Sequence, residues 1–72
     1  MNKLGERLKD LRLNRNVQQN FVSETVGIAP RTLRGYENGS REPSIDKLIE
    51  IADFFDVSLD YLVGRSDDPK RY

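Results

Sequence analysis

Gln19-Asn20-Phe21-Val22-Ser23-Glu24-Thr25-Val26-Gly27-Ile28-Ala29-Pro30-Arg31-Thr32-Leu33-Arg34-Gly35-Tyr36-Glu37-Asn38 is the stretch whose reading decides the fold. Val22 and Val26 lie four apart, the inner face of a short helix from Gln19 to Val26. Gly27 follows its last turn, where a left-handed cap favours glycine. Pro30 then opens a second helix at the first helical position, where its fixed φ fits and its missing N–H is not needed. Asn38-Gly39 closes it. Ser23 is small at the place where the two helices must cross closely, and Ile28 with Leu33 packs beneath the second one. The pair is predicted to present the N-terminal face of helix Pro30 to Asn38 outward, braced by the helix before it.

The flanks supply the remaining core. Leu4, Leu8 and Leu11 form one apolar stripe of a helix running from Asn2 to Arg15. Ser40-Arg41-Glu42-Pro43 reads as a polar loop, and Ser44 as the cap of a helix in which Ile45, Leu48, Ile51, Ala52 and Phe55 recur. Asp56-Val57 interrupts that helix. Ser58 caps a last one carrying Leu59, Leu62 and Val63, with Gly64 beyond its end. No strand-period segment, internal repeat or low-complexity tract is visible. The expectation is an all-α chain, a compact bundle of five short helices over residues 1–64, followed by a polar C-terminal tail, 65–72.

Composition narrows the function. The 72 residues include no cysteine and no histidine, which removes disulfides and the usual nitrogen and sulfur zinc ligands. A chain this short buries only about 60% of the surface its unfolded form exposes, so a large enclosed active site is not expected. The acidic pairs Asp67-Asp68 and Glu50-Asp53 fall on the tail and on a solvated helix face, and no catalytic residue is assigned. Nothing resembles a signal peptide or a membrane span, so a cytoplasmic protein is expected. The twelve basic and twelve acidic side chains cancel, but unevenly. Through Glu42 eight basic residues stand against five acidic ones, and from Pro43 four stand against seven. A positive first half suits a polyanionic partner even when the net charge is zero.

These residues together resemble the lambda-repressor-like, Cro/CI-type helix-turn-helix transcriptional regulators, the XRE family. The resemblance runs from Leu4 to about Leu62. It is carried by Leu8, Leu11, Arg12, Gln19, Gly27 and Ile28, by Tyr36-Glu37-Asn38-Gly39 and Arg41-Glu42-Pro43-Ser44, and by the block from Ile51 to Leu62. It implies sequence-specific binding of double-stranded DNA with helix 30–38 in the major groove, by a transcriptional regulator expected to be a repressor. Similar proteins bind as two-fold dimers on half-sites about 34 Å apart, so a homodimer on DNA is implied. Phe54, Tyr61, Val63 and the tail are candidates for its contact surface, with core burial favoured for Val63. No cofactor, metal, membrane or small-molecule ligand is implied.

Carried over residue by residue, the resemblance places Pro30, Arg31, Arg34 and Gly35 at exposed positions facing bases. Pro30 and Gly35 bring no polar side-chain atom, so Arg31 and Arg34 remain as donors, either bidentate to guanine or clamping phosphates. Gln19, Thr32, Tyr36, Asn38, Ser40, Arg41 and Ser44 occupy positions that contact the phosphate backbone. Thr32 has its own helix backbone as an alternative partner, and Tyr36 is read mostly as a core aromatic. Arg12 and Glu37 match a partly buried ion pair. Three departures weaken binding or local stability rather than the fold: Gln18 and Ala29 stand where side-chain caps are usual, Gly35 sits within a helix, and Pro30 replaces a polar reader. The rival reading is a protein-interaction or antitoxin-type module built on the same helices. Such a module calls for apolar anchors on the third helix, where this chain has Arg31, Thr32 and Arg34.

Overall fold

The computed structural model describes residues 3–71 and contains α1 (Leu4–Asn14), α2 (Gln19–Val26), α3 (Pro30–Asn38), α4 (Ile45–Phe55) and α5 (Leu59–Val63). No strand is present among the described residues. Asn2, expected within the first helix, and Tyr72, expected in the tail, lie outside them. The helical stripes converge on one core: Leu4, Leu8 and Leu11 from α1, Val22 and Val26 from α2, Leu33 and Tyr36 from α3, Ile51, Ala52 and Phe55 from α4, then Val57 and Leu62. Ile45 keeps the spacing of the α4 stripe but sits in a first turn that projects past this core, and it is 71% exposed.

Three local features set how α3 is held. First, α1 crosses the end of α3 at Gly5, where a Cβ would come within 2.6 Å of the Glu37 carbonyl oxygen and 2.8 Å of that of Tyr36. Any side chain there would push the two helices apart. Second, Gly27 ends α2 in the left-handed region at φ 74°. Its N–H donates to the Glu24 carbonyl and the Ile28 N–H to the Ser23 carbonyl, at 3.3 and 2.9 Å, the paired bonds of a Schellman cap. Third, Lys47 of α4 donates its Nζ to the Val26 carbonyl at 2.6 Å while pairing with Glu50. A cation at a helix C-terminus meets both an unbonded carbonyl and the negative end of the helix dipole.

Residues 65–71 lie back against α4 and α5. Arg7, stacked 4.1 Å over the Tyr61 ring, donates to the carbonyls of Tyr61 and Ser66 and pairs with Asp67 at 2.7 Å. Ser58 donates its N–H to the Pro69 carbonyl at 3.0 Å, and Arg71 bonds Asp53 and Asp56, whose carboxylates hold the guanidinium more firmly charged. The tail is polar in composition and is nonetheless docked.

Candidate nucleic-acid interface

Helix α3 has two unlike sides. Leu33, Gly35 and Tyr36 are buried, while Pro30, Arg31, Arg34 and Asn38 are exposed. Leu33 has no exposed surface, so it anchors the helix from below and leaves the arginines on its outer side. Ser23 of α2 is 1% exposed, and its hydroxyl donates to the Asn20 carbonyl, so a small polar residue fills the crossing without an unpaired group. Neither α2 nor α3 has a side-chain cap: Gln18 and Ala29 are extended and make no capping bond. By contrast the Ser44 and Ser58 hydroxyls accept the N–H groups of Lys47 and Tyr61.

A buried polar network ties α3 to the two helices before it. The Arg12 Nε donates to Glu37 Oε2 at 2.7 Å and its Nη2 to Oε1 at 3.2 Å, with side-chain exposures of only 12% and 6%. Arg12 also donates to the Val17 carbonyl at 3.3 Å, and Gln19 donates its Nε2 to Glu37 Oε1 at 3.1 Å. Every fully buried side-chain nitrogen and oxygen among the described residues has a partner. The Gln19 amide is thus drawn toward Glu37, at the wall of an open hollow of about 640 Å³ that Lys9, Asn20, Arg34 and Asn38 also border. Lys9 and Asn20 escaped the sequence reading, although Lys9 stands one turn before Arg12 on the same face of α1.

The remaining positions divide. In the loop after α3, Asn38 Oδ1 accepts the Ser40 N–H at 2.9 Å, which leaves the Asn38 amide nitrogen, the Ser40 hydroxyl and the Arg41 side chain exposed. Ser44 spends its oxygen as the cap of α4 but keeps its hydroxyl proton to donate. Thr32 is half-buried, and the Tyr36 ring is a core residue at 7% exposure. Gly35 departs from the sequence expectation of an exposed, base-facing position. It is buried, because the loop turns back and lays the stem of Arg41 over it.

The cations divide into those held by carboxylates and those left on the surface around α3. Arg7, Arg12, Lys47, Arg65 and Arg71 each pair with a carboxylate. Among the described residues none pairs with Lys9, Arg31, Arg34 or Arg41. Such cations around an exposed, rigidly based helix are available to an external polyanion. No helix among the described residues is long and apolar enough to cross a membrane.

Comparison with known proteins gives the arrangement its family. A helix-turn-helix family model matches residues 8–62. The transcriptional regulator AnsR of Bacillus subtilis is 42% identical over 60 residues, covering 83% of this chain and 52% of AnsR. The cryptic phage CTXphi transcriptional repressor RstR of Vibrio cholerae is 35% identical over 63 residues, covering 88% of this chain and 56% of RstR. The crystal structure of a transcriptional regulator from Listeria innocua superposes with a TM-score of 0.84 at 31% identity, over 89% of this chain and 60% of that one. The chain spans about half the length of the curated relatives it matches. With the family model reaching from Leu8 within α1 to Leu62 within α5, the chain belongs to the helix-turn-helix family of XRE type, in the lambda-repressor-like fold.

Proposed function

We propose that this chain is the DNA-binding part of a transcriptional regulator and recognises double-stranded DNA by laying α3 in the major groove. The observation that carries this reading is the set of exposed cations, Arg31 and Arg34 on the outer side of α3 and Arg41 just after it, none paired with a carboxylate among the described residues, whereas Lys47, Arg65 and Arg71 beyond them each are. Arg31 and Arg34 read bases. Pro30 contacts the groove wall without hydrogen-bond readout. Gln19, Thr32, Asn38, Ser40, Arg41 and Ser44 set register on the phosphates, which carries no sequence information by itself. Tyr36 is left out of that set because its ring belongs to the core. One domain of this size covers few base pairs, so two copies bind related half-sites about 34 Å apart. The likeness to the phage repressor RstR supports repression as the outcome of binding, and the cytoplasm is the proposed place of action.

Salt dependence tests the proposal. Each phosphate neutralised releases counterions, so log K falls against log salt with a slope of about −0.9 per contact. Arg41→Ala is expected to flatten that slope by roughly one unit and to leave sequence preference unchanged. The measurement is fluorescence anisotropy of a labelled duplex between about 50 and 200 mM salt. Affinity that does not change over that range would replace this reading with the protein-interaction module.

A further inference from the structure

Glycine within α3 needs a reason. Gly35 is helical without a positive φ, so its backbone conformation is open to any residue, and alanine there has the higher helix propensity. What glycine supplies is space. A Cβ at this position would lie 2.9 Å from both Cγ and Cδ of Arg41 and 3.1 Å from its Cβ, inside ordinary contact distance. The same two residues are joined through the backbone, the Arg41 N–H donating to the Gly35 carbonyl at 3.1 Å. The loop therefore turns back onto α3 at one point. The arginine stem lies on the bare backbone of the helix, and among the described residues no carboxylate captures the guanidinium.

We infer that Gly35 is a positioning residue for DNA binding: its missing side chain is the seat of the Arg41 stem and aims the guanidinium at the backbone beside the groove that α3 enters. The inference rests on the proposed role of Arg41 at phosphate. A long, flexible arginine loses rotamer freedom when it binds, and a stem already packed against a helix has less to lose. Alanine at position 35 displaces Cγ and Cδ of the stem, which can rotate toward solvent, while Arg41 Cβ at 3.1 Å has to give by only a few tenths of an ångström with its loop.

The test is a double-mutant cycle on the full chain with Gly35→Ala, Arg41→Ala and the double variant. Each is titrated by anisotropy against a duplex selected from a random library and against a random-sequence duplex, over the same salt series. Gly35→Ala is expected to keep or raise the melting temperature, to weaken both duplexes several-fold, and to flatten the salt slope by up to about one unit. In the Arg41→Ala background the same change is expected to have no further effect, since the stem it obstructs is gone. If Arg41→Ala alone alters neither affinity nor slope, the phosphate role of Arg41 fails and the positioning role falls with it. If Arg41→Ala weakens binding but Gly35→Ala does not, or if Gly35→Ala weakens the Arg41→Ala protein as much as the wild type, the positioning role alone is overturned.

Discussion

Arg12→Ala is expected to leave the domain largely unfolded near 37 °C. The guanidinium and the Glu37 carboxylate are 2.7 Å apart and almost wholly removed from solvent, and Arg12 also satisfies the Val17 carbonyl. Truncating it strands a buried carboxylate whose one remaining side-chain donor among the described residues is the Gln19 amide. Breaking such a pair costs about 3 to 5 kcal/mol, chiefly the desolvation of the charge left behind. At roughly 0.05 to 0.15 kcal/mol per residue, a domain this size has about 4 to 11 kcal/mol in total. Thermal unfolding followed by circular dichroism checks this. A melting point lowered by only a degree or two would mean that Glu37 finds water or another partner, and that the network does not hold α3 in place.

The second large effect concerns recognition. Arg31→Ala and Arg34→Ala are each expected to lose about 1 to 3 kcal/mol on the preferred duplex, with little change on random DNA, and to relax selection at one guanine per half-site. Both side chains project from the outer side of a helix whose buried side is locked by Leu33, and among the described residues no carboxylate holds either. Pro30 offers no donor, and Gly35 is covered. An arginine that only clamps a phosphate behaves otherwise: it weakens preferred and random duplexes alike. Equal losses on both at one salt concentration would therefore falsify base reading by that residue.

The local signals in the chain were the legible ones. The leucine stripe of α1, the serine caps of α4 and α5, Pro30 at the start of α3 and the left-handed Gly27 all depend on contacts within a few residues, and each has a spacing that betrays it. Ser23 was readable because a close helix crossing demands a small side chain. Gly5 and Gly35 were not. Each looks like a tolerated weak point in a helix, and its use appears only when another segment arrives: the C-terminal carbonyls of α3 over Gly5, and the Arg41 stem over Gly35. The Lys47 bond to Val26, 21 residues away, and the Arg7 hold on the tail, 54 and 59 residues away, likewise leave no periodicity. Within the interface, the exposed arginines of α3 followed from the family resemblance, which placed Gly35 beside them. The pull of Glu37 on Gln19 required the meeting of three helices.

The claim that α3 occupies the major groove is tested most directly by dimethyl sulfate probing of guanine N7, an atom presented only in that groove, on a duplex obtained by selection from a random library. With α3 in the groove, protected guanines are expected in two half-sites centred about 10 base pairs apart, with protection lost at one position per half-site in Arg31→Ala or in Arg34→Ala. Full occupancy of the duplex with every guanine N7 still reactive would contradict it.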